Sequence, residues 1–355
     1  MVRSILYLFL ILIFFSREAN AQKVYKLGQV DVSSKHIVDT VFGTWKYSVA
    51  DYEFLDDKLI LLTFKRNMSE AAVMLVDQSQ KVLSCFELPD EAKELYKDYQ
   101  GYIHVICENH IYRIILKNEQ INLASLPMDD YKKFIMPCID TIGKDIYFSN
   151  FQKDYPAFTY YAYNGTNKSL APLKRVCDEA LMDRYNMEFY FMQPKEQLYA
   201  RKIAMQYGID FHRVAANMTG LTTSLFYTPL YAPLFIIHDT VCIFDHYSNA
   251  ILKYDKKQNL LDSIHIDYNH PKKWKDWKRA LLLDKVSNEV YAVYERGGFY
   301  YLKNIDLQTG KIKGSFKLMN QYVEKIKVKN NYVYYVYKPF DSQQEKFVYK
   351  ELISN

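Results

Sequence analysis

The sequence lacks every short motif that would place an active site within one contiguous segment. It has no Gly-x-Ser-x-Gly elbow, His-Glu-x-x-His zinc helix, phosphate loop, dinucleotide fingerprint, calcium loop or Cys-x-x-Cys pair. These absences exclude the enzyme classes whose chemistry depends on such a motif. They leave open a site assembled from distant loops, so we expect a protein that is not an enzyme but keep an enzyme as the alternative.

Cysteine is also scarce. The five cysteines are an odd number, so at least one thiol is unpaired within a monomer, and their spacing does not match a zinc site. Several lie in or beside apolar runs, where cysteine behaves as a small hydrophobe. We expect buried thiols, with one or two disulfides as the alternative, and neither a metal nor a cofactor. The residues are Cys85, Cys107, Cys138, Cys177 and Cys242.

Glycine and proline are few, at 11 and 10 residues, whereas tyrosine and phenylalanine number 33 and 21. The excess of aromatic and β-branched residues favours strands over helices. The formal net charge of +5 is mild and is spread along the chain. A charge of this kind identifies no partner by itself.

A long apolar run occurs only at the N-terminal end. Arg3 precedes an unbroken apolar run from Ile5 to Phe15, and Ala19-Asn20-Ala21 is a small-x-small cleavage site before Gln22. As a helix this run would rise only about 16 Å, roughly half the hydrocarbon core of a bilayer. We predict a signal peptide over residues 1–21, cleaved after Ala21. The mature chain should then have no transmembrane segment, be periplasmic or secreted, and have no nucleic-acid partner.

Strand-like runs recur along the rest of the chain at intervals of 40 to 50 residues. In each unit an apolar or alternating run meets Asp or Asn, a polar turn follows and a second run leaves, as in an antiparallel hairpin. The turn residues lie 41, 46, 91 and 51 positions apart, and the interval of 91 is close to two repeats. They are Asp77, Asn118, Asn164, Asp255 and Asp306.

Repeats of this length are typical of the four-stranded blades of a β-propeller. We therefore predict an all-β chain in which residues 22–355 form a single propeller of antiparallel, four-stranded blades. The last unit has three candidate strands, at 323–328, 332–337 and 346–352. The N-terminal run at 23–30 is expected to supply the fourth strand and to close the ring.

The number of blades depends on segment 178–225. A degenerate blade there, with strands near 187–192 and 197–204, gives seven blades, which we favour, whereas an insertion gives six. Residues 179–192 could instead form a helix, and a second helix could begin at Pro194, since proline is tolerated in a first helical turn. A helical hairpin at this point would be a candidate lid or partner-binding element.

The pattern of the chain resembles the exported β-propeller proteins of Bacteroidota. The junction Asn20-Ala21-Gln22 and the paired runs Asp239–Asp245 and Asn249–Asp255 carry the resemblance. It implies a propeller of six or seven blades in the bacterial envelope, and it transfers no active site. Many such proteins begin the mature chain with a lipidated cysteine, whereas this chain has Gln22 at that point.

Two segments contain candidate ligand-binding residues. Residues 270–279 place Trp274 and Trp277 three positions apart among basic side chains, and such rings can stack on a sugar. The simpler interpretation is that both rings pack against the propeller. In the middle segment we select Arg201 and Arg213, because a guanidinium fork suits carboxylates, including those of uronic acids. Ordinary surface arginines would give the same pattern. Arg175, Arg184 and His212 are further basic residues of this region.

Several histidines and aspartates are close in sequence, but strand faces and turns account for them better than a cation site does. They are His238, His246, His265 and His270 with Asp239, Asp245 and Asp267.

The leading functional hypothesis is a monomeric, non-enzymatic binding or scaffold propeller of the bacterial envelope that holds a glycan, peptide or protein partner. The alternative is a secreted polysaccharide hydrolase, lyase or lactonase with its site in the central funnel. A hydrolase would show two carboxylates about 5 to 9 Å apart. A lyase would need a base beside an arginine or a cation. A sensor for an envelope protein would show a broad apolar patch instead of a cleft.

Overall fold

The computed structural model describes residues 37–225, 227–271, 273, 276–339 and 345–354. The predicted signal peptide, the predicted closing strand at 23–30 and Trp274 lie outside these residues. Within the described ranges, none of the helices combines the length and the apolar character needed to cross a membrane.

The apolar and alternating runs form short strands, as their β-branched and aromatic composition predicts. In chain order the strands are β1 Val38–Phe42, β2 Ser48–Leu55, β3 Lys58–Phe64, β4 Ala71–Val76, β5 Val82–Glu87, β6 Ala92–Lys97, β7 Ile103–Cys107, β8 Ile111–Lys117, β9 Gln120–Leu126, β10 Cys138–Ile142, β11 Asp145–Ser149, β12 Ala157–Asn164, β13 Ser169–Cys177, β14 Leu234–Ile237, β15 Thr240–Asp245, β16 Ala250–Tyr254, β17 Leu260–His265, β18 Trp277–Asp284, β19 Glu289–Arg296, β20 Phe299–Ile305, β21 Ile312–Gln321, β22 Glu324–Lys329, β23 Tyr332–Tyr337 and β24 Phe347–Leu352.

These strands form six antiparallel sheets of four strands each in the described part of the chain. Five sheets use consecutive strands: blade I is β2–β5, blade II β6–β9, blade III β10–β13, blade IV β14–β17 and blade V β18–β21. Blade VI has the order β1-β24-β23-β22. The all-β, four-stranded architecture is the arrangement of a six-bladed propeller. The favoured count of seven blades is not confirmed.

The blades pack face to face through their apolar residues. The outermost strand of each blade has only one or two buried residues, whereas the two middle strands together have at least five. In the described residues, shared core clusters join five of the six neighbouring pairs of blades, all except II and III. Each fully buried Leu or Ile contributes about 2 kcal/mol to such a core. One pair of buried residues illustrates each cluster, with one residue from each of the two blades. The pairs are Ile60 with Val105 for blades I and II, Phe158 with Leu234 for III and IV, Phe244 with Val290 for IV and V, Leu302 with Val333 for V and VI, and Leu61 with Val336 for VI and I.

All five predicted turn residues occupy one structural position, the connection between the third and fourth strands of a blade. The side chain of Asp77 accepts hydrogen bonds from Ser79 and Lys81, and that of Asp306 accepts one from the backbone N–H of Gln308. These hydrogen bonds, chiefly from the Ser79 hydroxyl and the Gln308 N–H, lower the pKa of the two carboxyl groups. The hairpin prediction is therefore confirmed, with a local cause for the Asp at each turn.

Blade VI combines the two ends of the described chain. Strand β1 pairs antiparallel with β24, with Val38 opposite Glu351 and Thr40 opposite Tyr349. The three predicted C-terminal strands are present as β22, β23 and β24. An N-terminal strand does complete the last sheet, but it is β1 at Val38–Phe42, whereas the run predicted for this role lies outside the described residues.

Three helices, and not strands, follow blade III: α1 at Glu179–Phe191, α2 at Pro194–Tyr207 and α3 at Phe211–Met218. The predicted strands at 187–192 and 197–204 are therefore wrong. Local capping explains the helices, since Asp178 accepts a hydrogen bond from the N–H of Leu181 and caps α1. Helix α2 has Pro194 in its first turn, a Gln193–Glu196 capping box and Gly208 at its end. Segment 178–225 is thus a helical insertion, which accounts for the interval of 91 residues.

The cysteines are unpaired. All five have free thiols; Cys107 and Cys242 are buried, Cys138 and Cys177 are partly buried, and Cys85 is exposed. Burial raises the pKa of Cys107 and Cys242 to about 11, so neither thiol ionises near neutral pH.

Candidate functional site

Strands β2, β6, β10, β14, β18 and β22, one from each blade, surround a common cavity of about 700 Å³. Because every blade contributes one strand, this cavity is the central channel, and these six strands are innermost. Lining residues, one from each of these strands in blade order, are Glu53, Lys97, Ile139, Phe235, Leu281 and Lys327.

Two carboxylates that line the channel already have partners. Glu53 lies 2.5 Å from Lys327 Nζ, and Asp98 lies 2.8 Å from His104 Nε2 while also accepting backbone N–H groups from Gln100 and Tyr102. A hydrolase needs one carboxyl group as an acid and a second as a base or nucleophile. The contacts of Glu53 and Asp98 satisfy these groups, and Asp56, the third carboxylate of the lining, has no side-chain hydrogen bond or ion pair with the described residues. One free carboxylate does not favour that chemistry in the channel.

A second cavity, of about 460 Å³, lies between the start of helix α1 and blades IV and V. We call it the IV–V pocket. It lies near the beginning of the innermost strand β18, whereas the channel cavity extends beyond the end of that strand to Lys285 and Val286. Its volume is within the range of small-molecule sites. Polar and aromatic residues that line it include Asp178, Arg184, His246, Tyr247, Trp277 and Arg279.

His246 in this pocket is held as a neutral ring. Its Nδ1 lies 2.9 Å from the carbonyl oxygen of Tyr231 and therefore donates, so Nε2 accepts from the Tyr268 hydroxyl at 2.9 Å. The ring stacks on Tyr231, with centroids 5.5 Å apart. Burial lowers the pKa of His246 to about 4. Both nitrogens are thus occupied, and the ring is neutral at pH 7.

Arg279 has an unusual backbone conformation for its residue type. Its φ is +51°, and the pairing of β18 with β19 shifts register between Trp277 and Leu281. Left-handed backbone costs about 1 to 2 kcal/mol in a residue with a side chain. Bulges that redirect a side chain, and strained residues, are frequent at functional sites. Lys325 in β22 has the same φ of +51° at a register shift, so this bulge recurs in the innermost strands, and it is the contacts of Arg279 that make it a candidate functional residue.

The guanidinium of Arg279 is fixed from one side. Its Nη2 donates to the carbonyl oxygen of Pro229 and to the hydroxyl of Tyr247, both at 2.8 Å. The same hydroxyl accepts the backbone N–H of Tyr231 at 2.9 Å. Burial is the main cause that raises the pKa of Tyr247, so this phenol stays protonated and its own hydrogen is available to a ligand.

The second arginine of the pocket comes from the helical insertion. Arg184 on α1 has no hydrogen bond or ion pair with the described residues, and Arg279 has no carboxylate partner among them. Asp178 is the acidic residue of the lining, and one of its oxygens caps α1. Two arginines and one aspartate give this lining a surplus of positive charge.

Two further polar groups in the lining residues are buried without a hydrogen-bond partner in the described structure. These are the indole Nε1 of Trp277 and the side-chain oxygen of Asn269. The Asn269 amide nitrogen lies 3.0 Å from Asn249 Oδ1 and 3.3 Å from the His246 carbonyl oxygen. Unsatisfied buried polar groups are uncommon in proteins, and strain, a catalytic role or a bound water or ion usually explains them. Six other atoms of this kind lie elsewhere in the described residues.

The structure separates the four ligand-binding residues selected from the sequence. Trp277 lines the IV–V pocket, where its ring lies 4.8 Å from that of His246. Arg213 lines a different cavity and forms a bidentate pair with Asp154 at 2.9 to 3.1 Å. Arg201 lies over the rings of Phe189 and Phe211 at 5.2 and 5.5 Å. Trp274 is outside the described residues. Both described arginines therefore have contacts that organise the insertion.

Sequence reasoning noted Arg184 and Arg279 only as members of longer basic segments, and it did not select Tyr247. Their proximity depends on three separate connections, because α1 follows blade III, Tyr247 follows β15 and Arg279 lies in β18. The local signal that could have singled out the region is the dense aromatic and basic run that precedes and begins β18.

The histidine and aspartate group does not form a cation site in the described residues, where no three His, Cys, Asp or Glu side chains have a metal-binding arrangement. His246 is used in the hydrogen bonds above, and His270 Nε2 lies 2.8 Å from Asn249 Oδ1.

The helical insertion also displays large apolar side chains. Met205 is 87% exposed, Phe191 78% and Leu198 68%. Other residues of the insertion with exposed apolar side chains are Tyr190, Tyr199 and Tyr207. The insertion therefore contributes residues to the lining of the IV–V pocket and also carries exposed apolar side chains.

The chain is similar to solved propeller structures at low sequence identity. A virginiamycin B lyase from Staphylococcus aureus is 12% identical, with 85% of this chain and 81% of that chain covered and a TM-score of 0.37. A putative gluconolactonase is 8% identical, with 90% and 93% covered and a TM-score of 0.41. A CNH domain is 10% identical, with 89% and 99% covered and a TM-score of 0.38.

No protein-family model matches the chain, and no curated protein matches it. The fold class therefore rests on the six four-stranded sheets, and the resemblance to exported propellers of Bacteroidota remains an expectation from the sequence.

Proposed function

We propose that this protein is an exported, non-enzymatic binding propeller of the bacterial envelope that holds a glycan in the IV–V pocket. The observation that supports this function is that Arg184 and Arg279 line one concave site together with Trp277 and Tyr247. Neither arginine has a carboxylate partner among the described residues. Aromatic rings with polar edges suit the apolar faces and hydroxyl groups of sugars. The volume of the pocket suits a small ligand better than a folded partner.

Binding is favoured over catalysis because two candidate bases in the pocket, His246 and Tyr247, are unsuited to remove a proton at neutral pH. His246 has both ring nitrogens in hydrogen bonds and a pKa of about 4. The pKa of Tyr247 is raised, so its phenol is not a ready base. A general base is most effective when its pKa is near the working pH.

Export is proposed from the N-terminal sequence. The basic residue Arg3, the apolar run from Ile5 to Phe15 and the small residues before Gln22 have the order of a signal peptide. An envelope location would bring the protein into contact with saccharides, in agreement with the proposed ligand.

A lyase is the second candidate function. Arg279 donates to the Tyr247 hydroxyl at 2.8 Å, and a lyase that acts on acidic sugars needs a phenol or another base next to a charge-neutralising arginine. The raised pKa of Tyr247 argues against this function, but the geometry gives it a defined chemical test.

The function is tested by isothermal titration of the purified protein with a panel of neutral and acidic oligosaccharides. We expect a ligand whose affinity falls several-fold in Trp277→Phe, because the smaller ring loses contact area. Trp45→Phe is the matched control, since Trp45 is 68% exposed and packs on Phe347 in blade VI. Thermal unfolding of each variant checks that the fold is intact.

Three results would contradict the proposal. The first is the absence of binding by every saccharide of the panel, and the second is an equal loss of affinity in both tryptophan variants. The third is the appearance of shortened or unsaturated products by mass spectrometry after incubation, which would replace binding with the hydrolase or lyase alternative.

A further inference from the structure

We infer that the IV–V pocket recognises its ligand through one carboxylate, and that the ligand is a saccharide containing uronic acid. This inference rests on the proposed function, because it names the chemical class of the glycan in the same pocket. It adds a charge requirement that a neutral sugar would not satisfy.

The charges of the lining residues define the first step. Arg184 and Arg279 each contribute one positive charge, Asp178 contributes one negative charge, and His246 is neutral at pH 7. These four groups leave a surplus of one positive charge (+2 −1 = +1). A ligand with a single negative charge balances this surplus, whereas a phosphate monoester carries up to two negative charges.

The hydrogen-bond donors define the second step. Nη2 of Arg279 is occupied by Pro229 and Tyr247, which fixes the plane of the guanidinium. A guanidinium has five N–H donors, so the Nε and Nη1 groups of Arg279 have no partner in the described residues. An arginine that is held in place before binding loses little side-chain entropy when it binds an anion.

Arg184 supplies donors from a different element. It projects from α1, whereas Arg279 belongs to the innermost strand of blade V, and both line the same pocket. The two oxygens of a carboxylate can accept from two separate guanidinium groups, and arginine geometry suits planar carboxylates. The neighbouring Tyr247 hydroxyl and Trp277 ring are suited to the sugar that carries the carboxylate.

The cap of α1 disfavours a phosphate ligand. The N-terminus of a helix is a frequent phosphate site because its free N–H groups point outward. Here the carboxylate of Asp178 accepts the N–H of Leu181 at 3.0 Å and already occupies that position. Its negative charge lies in the pocket lining and would repel a dianion more strongly than a carboxylate.

The test compares each uronate oligosaccharide with its methyl ester. The probes are oligomers of galacturonate, glucuronate and mannuronate, and the esters keep the shape of the sugar while removing the charge. We expect at least one uronate to bind and its ester to bind at least about tenfold more weakly, since a charged hydrogen bond is lost. The affinity should fall as the salt concentration rises, because part of the pocket is open to solvent.

Two variants locate the carboxylate. Arg184→Ala should weaken uronate binding about tenfold but leave the affinity for the ester unchanged. Lys202→Ala is the control, because this lysine is exposed on the same insertion, does not line the pocket and has no hydrogen bond or ion pair with the described residues. Arg279→Gln should act like Arg184→Ala, and its thermal unfolding must match the parent for the comparison to count.

The outcomes separate this inference from the proposed function. Equal affinity for uronate and ester, or tighter binding of a sulfated or phosphorylated saccharide, overturns the carboxylate inference. The proposed function still holds in that case if Trp277→Phe weakens the binding. Failure of every acidic and neutral saccharide to bind overturns both. Uronate binding that is unchanged in Arg184→Ala and Arg279→Gln places the ligand elsewhere and also overturns the inference.

Discussion

Lys325 in the innermost strand of blade VI places its Nζ 3.0 Å from Oδ2 of Asp51 in the innermost strand of blade I. The same Asp51 oxygen accepts the backbone N–H of Leu95 in blade II at 3.1 Å. Asp51 is only 2% exposed. One buried carboxylate therefore connects three blades where the last blade packs against the first.

Removal of this carboxylate should destabilise the protein strongly. Asp51→Ala leaves the N–H groups of Tyr52 and Leu95 without their acceptor and Lys325 without this partner. We expect the free energy of unfolding to fall by about 3 kcal/mol or more, as for other broken buried pairs. Urea unfolding at pH 7 measures the change.

Glu108→Ala provides the control for an ion pair at the surface. Glu108 lies 3.7 Å from Lys93 Nζ, and both side chains are more than half exposed. Its loss should cost less than about 1 kcal/mol. Similar values for the two variants would show that the contact between blades I and VI adds no more than a surface pair.

The neutral state of His246 predicts a dependence of stability on pH. Its pKa is about 4 in the folded protein against an ordinary histidine value of 6.5, so the unfolded chain binds more protons between these values. Stability contributed by His246 is therefore present above about pH 6.5 and is lost as the pH falls toward 4. The full loss would be at most about 3 kcal/mol.

The pH dependence can be assigned with two variants. His246→Gln should flatten the rise of the urea midpoint between pH 4.5 and 6.5, although its stability at pH 7 will be lower. His265→Gln, in the exposed outermost strand of blade IV, should keep the parental slope. An unchanged slope in His246→Gln would mean that other groups cause the dependence.

The regular part of the fold could be predicted because its causes are local. Asp77 and Asp306 fix their turns through hydrogen bonds to residues within four positions, and the flanking strands follow from apolar and aromatic composition. The insertion was predicted less well because the interval of 91 residues, close to two repeats, favoured a degenerate blade over the helical alternative. The decisive signals were the caps at Asp178 and Pro194 and the αL glycine at Gly208.

The candidate site could be predicted only in part because its contacts are distant in sequence. Trp277 was selected, and it lines the pocket, but the Arg279 guanidinium is oriented by Pro229, 50 positions earlier. Arg213 was selected as a ligand residue, and its partner Asp154 is 59 positions away. Sequence spacing within one segment does not reveal which of these arginines already has a carboxylate partner.

The pair between Arg213 and Asp154 should hold the helical insertion on blade III. Arg213→Met removes two charge-assisted hydrogen bonds at the start of α3, so we expect about 1 kcal/mol less local stability. Hydrogen exchange of the α3 amides should then become several-fold faster.

Arg175→Met is the control, because Arg175 and Glu179 are exposed and lie 3.8 Å apart. Unchanged exchange in Arg213→Met, together with weaker glycan binding, would instead support a direct ligand role for Arg213.

Gly310 offers a sharp test of how closely blades IV and V pack. Its φ is +71°, and a Cβ at this position would lie 2.0 Å from the carbonyl oxygen of His265 in blade IV. Gly310→Ala must therefore displace backbone as well as adopt a left-handed conformation, and we expect a loss of about 3 kcal/mol or more.

Gly143→Ala is the control, since Gly143 has a φ of +61° but no atom within 4 Å of a built Cβ. It should lose only the conformational cost of about 1 to 2 kcal/mol. Equal losses in urea unfolding would mean that blade IV moves away from Gly310 at little cost, and that this contact does not restrict the spacing of the two blades.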